Sequence, residues 1–328
     1  MSRHPLLRVR RALVGALAGT AAGVLLLGGC SSGDPAGSAS DDPASNADTT
    51  SSPATGGPEE RSAPPSGRPG RLAGLGFRRY AALGDSYTAG IGVSPAADSG
   101  LCFRSEVNYP TLVATALGAR LRDRSCGGAS TADATEPQQL GEQTAPPQVD
   151  AVTERTDLVT IGLGGNDFNL FATILGVCTS MRTDDPDGAP CRASTRAGIL
   201  TQTPQIAARL TTVVAGVRDR APDATVLLVG YPQLVPARGA CPEVLPLAAG
   251  DHSYLREVTG LLNDAVREAA DRTEAGYVDL ARASRGHDVC SSEPWVNGAA
   301  GGDGAPYHPR AIGQREAARL VLQALRRG

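Results

Sequence analysis

The stretch Leu83-Gly84-Asp85-Ser86-Tyr87-Thr88-Ala89-Gly90 leads from apolar residues into a glycine, an acid and a serine. A serine at the carboxyl end of a strand, beside a helix start, sits where open α/β sheets bind ligands. The unpaired N–H groups of a helix N-terminus also suit a developing oxyanion. Taken alone, Asp-Ser is equally an ordinary turn or helix cap. A second block, Ile161-Gly162-Leu163-Gly164-Gly165-Asn166-Asp167, again ends an apolar run. Its glycines would let Asn166 turn its amide toward the same crevice, as a neutral donor for a tetrahedral oxyanion. The third, Ser125-Cys126-Gly127-Gly128-Ala129-Ser130, offers a glycine N–H that no side chain shields. Its plainer reading is a turn beside a disulfide.

A serine nucleophile needs a base, and the chain has four histidines. His4 lies in a segment expected to be removed. His252, in Gly250-Asp251-His252-Ser253, reads as a surface residue capping a helix start, and His287, three residues before Cys290, as a structural or pocket-rim group. His308 precedes Pro309, which holds the residue before it extended and opens the last helix. That puts its imidazole on a loop at a helix N-terminus, as a serine base requires.

The elements that must position these blocks are short segments at 79–83, 120–123, 157–163, 224–230 and 276–280, read as strands, most of them apolar enough to be covered on both faces. Ile206, Leu210, Val213, Val214 and Val217 step by three and four, as do Ala317, Leu320, Val321 and Ala324, which predicts amphipathic helices. Strands alternating with helices give one α/β domain over about 76–328 with a mostly parallel sheet.

In order and together, the four blocks resemble the SGNH (GDSL) hydrolase family over roughly residues 78–324. The resemblance implies a three-layer, flavodoxin-like α/β fold with a mostly parallel five-stranded sheet. It also implies Ser86 as nucleophile, His308 as base, and an oxyanion hole built from the N–H groups of Ser86 and Gly128 and the side chain of Asn166, with no metal or organic cofactor. Pro146-Pro147-Gln148, Gly286-His287-Asp288-Val289-Cys290 and the cysteines are similar to the secreted actinobacterial esterase and lipase branch. That branch implies hydrolysis of carboxylic esters, of lipids or other acyl esters, through an acyl-enzyme. Many members place an Asp three residues before the histidine, where this chain has Ala305. A backbone carbonyl near Ala305, the favoured alternative, or Asp303 would then take the Nδ1 proton of His308. A carbonyl fixes the imidazole tautomer but stabilises imidazolium less than a carboxylate.

Apart from Cys30, the cysteines Cys102, Cys126, Cys178, Cys191, Cys241 and Cys290 form an even set in a chain with an export signal, and read as disulfides rather than catalytic thiols or a zinc site. Pairing neighbours in order would close loops each worth about 3 to 4 kcal/mol on the chain-entropy model, and the resemblance carries the same ordered pairs. At the N-terminus, Arg3, Arg8, Arg10 and Arg11 precede an apolar run ending in Leu27-Gly28-Gly29-Cys30. Residues 1–29 read as a signal peptide that looks like a bacterial lipoprotein signal, with the thiol of Cys30 receiving diacylglycerol. Residues 31–70 hold no Val, Ile, Leu, Met or aromatic residue, so 30–75 is expected to be a lipidated, disordered linker.

A net charge of -3 with no long basic run argues against a nucleic-acid surface or a polybasic membrane patch. The expected partners are an ester or lipid substrate and the membrane through Cys30. The chain is expected to be a monomer, exported to the outer face of the cell membrane as a lipoprotein or otherwise secreted. Asp184, Asp185 and Asp187 read as a solvated loop rather than a calcium site, and Trp295 as packing beside the Cys290 loop. Two competing functions remain at this level: deacetylation of envelope polysaccharide, and ligand binding on an inactive scaffold, for which Ala305 is the support. An aromatic content of 4% offers no platform for stacking sugars, which favours acyl substrates.

Overall fold

The computed structural model describes residues 73–327. The expected signal peptide, the expected lipidation at Cys30 and the expected linker as far as residue 72 lie outside the described residues. Among the described residues seven strands occur: β1 Arg79–Gly84, β2 Arg120–Asp123, β3 Gln138–Leu140, β4 Gln143–Ala145, β5 Leu158–Gly162, β6 Thr225–Val229 and β7 Gly276–Val278. Five of them form a parallel sheet in the order β2-β1-β5-β6-β7, and β3 and β4 form a separate antiparallel hairpin. The helices are α1 Ser86–Ala89, α2 Tyr109–Leu117, α3 Cys178–Ser180, α4 Pro190–Arg220, α5 Asp251–Thr273, α6 Leu280–Ala283 and α7 Ala311–Leu325.

The period-two alternation of the strands builds three layers. Tyr80 and Ala82 of β1 share one cluster with Val113 and Leu117 of α2 and Val321 and Leu325 of α7. Ala81 and Leu83 share the other with Leu210 and Val214 of α4 and Val258 and Leu262 of α5. Each fully buried leucine contributes roughly 1.5–3 kcal/mol, so the apolar helix stripes and the doubly covered strands fix each other. The edge strand β2, Arg-Leu-Arg-Asp, stays half exposed. Strand β7 stops at Val278, short of the expected 280, because Asp279 turns out of the sheet and its carboxylate accepts the N–H of Arg282 to cap α6.

Counted within the sheet, the strand order is 2-1-3-4-5, the flavodoxin-like arrangement, and it reverses between β1 and β5. Ligands bind beyond the carboxyl ends of such a strand pair. Ser86 follows β1 and Asn166 follows β5, so both blocks are delivered to this point. Three disulfides pair neighbouring cysteines in order: Cys102 with Cys126, Cys178 with Cys191, and Cys241 with Cys290. The first staples the turn after α1 to the Gly127-Gly128 loop.

Candidate active site

Ser86 opens α1, and the residue before it is the cap: the Asp85 carboxylate accepts the Tyr87 N–H at 2.9 Å. Gly84 admits no other residue, since a Cβ there would lie 2.1 Å from Thr88 Oγ1. Its backbone is held on both sides by buried Gln148, which accepts the Gly84 N–H at 2.7 Å and donates to the Gly84 carbonyl at 3.0 Å. Ser86 is 6% exposed, enough for its hydroxyl to reach a docked carbonyl from a fixed backbone.

His308 Nε2 lies 2.8 Å from Ser86 Oγ, and His308 Nδ1 lies 2.7 Å from the carbonyl oxygen of Pro306. A carbonyl can only accept, so Nδ1 carries the proton and Nε2 presents its lone pair to the serine hydroxyl. Burial pushes the imidazole below its ordinary value of 6.5, while the Pro306 carbonyl acts in the opposite direction. The carbonyl that meets Nδ1 therefore belongs to Pro306, one residue after Ala305. The Ala305 carbonyl instead accepts the His308 backbone N–H at 3.1 Å and the Asn297 amide at 3.2 Å. Asp303 is engaged elsewhere: its carboxylate pairs with Arg310 Nε at 2.6 Å and accepts the Ala311 N–H at the start of α7.

The N–H groups of Ser86 and Gly128 have no hydrogen-bond acceptor among the described residues. Asn166 donates one amide hydrogen to the Ala129 carbonyl at 2.9 Å and keeps the second free. These blocks are tied together directly. The Cys126 N–H donates to the Gly84 carbonyl at 3.0 Å, and Asp167 accepts the Thr131 N–H at 2.9 Å and an Arg209 guanidinium N–H at 3.0 Å. Phe168 and Asn169 hold φ of 54° and 56°, a conformation costly for residues with a Cβ. The Arg209 guanidinium lies over the Phe168 ring at 4.1 Å and braces that turn.

Tyr231, two residues beyond the end of β6, joins the serine and asparagine blocks. Its hydroxyl accepts the Gly165 N–H at 2.8 Å and donates to Asp85 at 2.6 Å. Burial raises the Asp85 carboxyl to about 7, against the opposing pull of the Tyr231 hydroxyl and two backbone N–H groups. Nothing in the composition around Tyr231 announces this role. Its position at the carboxyl edge of a central strand was the available signal.

The other histidines do not reach this site. His252 is not a surface cap: it is buried in the first turn of α5, because that turn packs against the start of α4 and the Asp251 carboxylate caps α4 through the N–H groups of Cys191 and Arg192. His287 stacks on Trp295 with ring centroids 4.8 Å apart, and its Nδ1 bonds to the Glu293 carbonyl. Trp295 is itself buried. In the acidic loop, Asp185 accepts the Gly188 N–H, and no group of three or more metal-binding side chains is assembled among the described residues.

A serine hydroxyl backed by an oriented imidazole, beside unpaired N–H donors at the switch point of a flavodoxin-like sheet, can transfer an acyl group through the serine. The chain belongs to the GDSL-like lipase/acylhydrolase family, whose profile matches residues 82–316. It is 43% identical to Lipase 2 of Streptomyces coelicolor over 257 residues, covering 75% of this chain and 85% of that protein. Among solved structures it is similar to phospholipase A1 from Streptomyces albidoflavus NA297, with a TM-score of 0.64, 29% identity and coverage of 76% of this chain and 99% of that one. It is also similar to the extracellular lipase of Streptomyces rimosus, with a TM-score of 0.63, 28% identity and coverage of 75% and 99%.

Proposed function

We propose that the chain is a serine hydrolase acting on carboxylic esters of lipids or other acyl donors, with Ser86 as nucleophile and His308 as general base. The observation that carries this reading is the relay Ser86 Oγ to His308 Nε2 at 2.8 Å, with Nδ1 anchored on the Pro306 carbonyl at 2.7 Å. His308 takes the Ser86 proton as Oγ attacks the ester carbonyl. The oxyanion is received by the N–H groups of Ser86 and Gly128 and the free amide hydrogen of Asn166. The imidazolium then protonates the leaving alcohol, and the same nitrogen activates water to release the acid. The Pro306 carbonyl serves as the orienting partner of His308, which makes the relay a dyad, with Ala305 and Asp303 outside it.

Export, with diacylated Cys30 tethering a monomer to the outer face of the membrane, is the matching localisation. The Leu27-Gly28-Gly29-Cys30 sequence supports it, and no helix among the described residues is long and apolar enough to cross a membrane. The relatives named lipase and phospholipase A1 favour acyl lipids over other esters as substrates.

The test is a series of p-nitrophenyl esters from acetate to palmitate, run on the disulfide-intact chain beside Ser86→Ala. The variant should fold normally and lose at least about 10⁴-fold in turnover, and the chain-length optimum of the wild type reports whether it works as a short-chain esterase or a lipase. Equal rates in the two proteins would remove Ser86 from the mechanism, and an inert wild type would remove ester hydrolysis.

A further inference from the structure

The loop that carries Gly128 is a β-turn. The Ala129 N–H donates to the Cys126 carbonyl at 3.2 Å, which makes Gly127 and Gly128 the two central residues. Gly128 has φ of +73° and Gly127 does not lie at positive φ, the signature of a type II turn. Types I and II differ by a flip of the central peptide plane. In this turn that plane is the Gly127–Gly128 bond, flanked by glycine on both sides and therefore opposed by no Cβ. Because a trans peptide is rigid, its C=O and N–H point in opposite directions, and a flip would turn the Gly128 N–H through half a circle.

One side chain selects between the two forms. Gln138, in the first strand of the β3–β4 hairpin and 7% exposed, donates its Nε2 hydrogen to the Gly127 carbonyl at 2.8 Å. The acceptor is a carbonyl, so the group facing it must be the amide nitrogen. The Gly127 N–H is separately held by the Cys102 carbonyl at 3.1 Å, next to the Cys102–Cys126 disulfide. The outer ends of the turn are thus anchored by backbone, and the central peptide by Gln138.

We propose that Gln138 is a positioning residue of the oxyanion hole: it holds the Cys126–Ala129 turn in its type II form and so keeps the Gly128 N–H turned to the reacting carbonyl. The inference rests on the ester-hydrolase reading above. Gln138 acts through the Gly127 carbonyl it holds rather than as a donor to the oxyanion, so its effect falls on the transition state, where the Gly128 donor matters most. The bond to the Gly127 oxygen also polarises the shared peptide, which strengthens the N–H as a donor.

The experiment compares wild type, Ser86→Ala, Gln138→Met and Gln138→Glu in the full disulfide-intact chain, on one soluble p-nitrophenyl ester. Methionine matches the length of glutamine without a donor. Gln138→Met should lose about 10- to 100-fold in kcat, within the range of removing one oxyanion donor, with KM within about twofold and the thermal midpoint within a few degrees. A carboxylate at 138 would repel the Gly127 oxygen, whereas a protonated carboxyl can donate to it. The kcat ratio of Gln138→Glu to wild type should therefore rise as pH falls, and taking the ratio cancels the shared titration of His308. A Gln138→Met enzyme with unchanged kcat would overturn the inference while leaving the ester reading intact. So would a loss that follows the thermal midpoint, or a Gln138→Glu ratio flat with pH. A wild type inert on the ester would overturn both.

Discussion

At the scale of single residues, the unusual group is the partner of His308. A backbone carbonyl holds Nδ1 where a carboxylate would otherwise stand, so in the mechanism proposed above the imidazolium has no carboxylate partner at Nδ1 to stabilise it. Burial lowers the pKa of His308 from 6.5. The sign follows directly: the base works when neutral, so the rate falls on the acid side through a midpoint below the ordinary imidazole value. The kcat/KM profile should show that limb below pH 6.5, and Asp303→Ala should superimpose on it with less than about a threefold change in rate. A loss of several hundredfold in that variant would make Asp303 the orienting acid in solution.

The next scale is that of loops and strands. The Asn166 turn is held from outside the sheet by α4, whose Arg209 both pairs with buried Asp167 and lies over Phe168. Arg209→Met retains the packing stem without the charge. It should reduce kcat about tenfold while leaving KM near wild type, and a rate equal to wild type would show that Thr131 alone suffices to hold Asp167. The main strands were legible in the sequence because Leu158–Gly162 and Thr225–Val229 are mostly apolar, β-branched-rich runs between turn residues, with threonine the only polar type in them, which is the pattern of strands buried on both faces. The β3–β4 hairpin was not, since Gln-Gln-Leu and Gln-Thr-Ala neither alternate nor run apolar, and so Gln138 escaped notice. Serine, glycine, asparagine and histidine were readable because each sits in a local pattern. Tyr231, Thr131 and Gln148 were not, because their partners lie far away in sequence, whereas the Nδ1 partner of His308 was readable as a backbone carbonyl near Ala305 though not as that of Pro306. His252 misled for a related reason: Gly-Asp-His-Ser looks like a surface cap, but Asp251 caps a different helix.

For the molecule as a whole, the buried Asp85 links the site to global stability. Its carboxyl is raised from 3.8 to about 7 by burial. A group whose folded pKa is raised favours the folded state below its unfolded value, and that contribution is lost as pH climbs through the folded value. Wild type should therefore lose stability relative to Asp85→Asn as pH rises from about 4 to about 7, by on the order of a few kcal/mol, and level off above. Thermal midpoints of the two proteins across that range provide the check, and parallel curves would show Asp85 ionised in the folded chain throughout.

Strand β1 has a further consequence. The chain enters the sheet at Arg79 and delivers Ser86 just beyond the far end of the same strand, about 20 Å away at roughly 3.3 Å per residue. The point where the described chain enters the sheet and the serine hydroxyl thus lie at opposite ends of one buried strand.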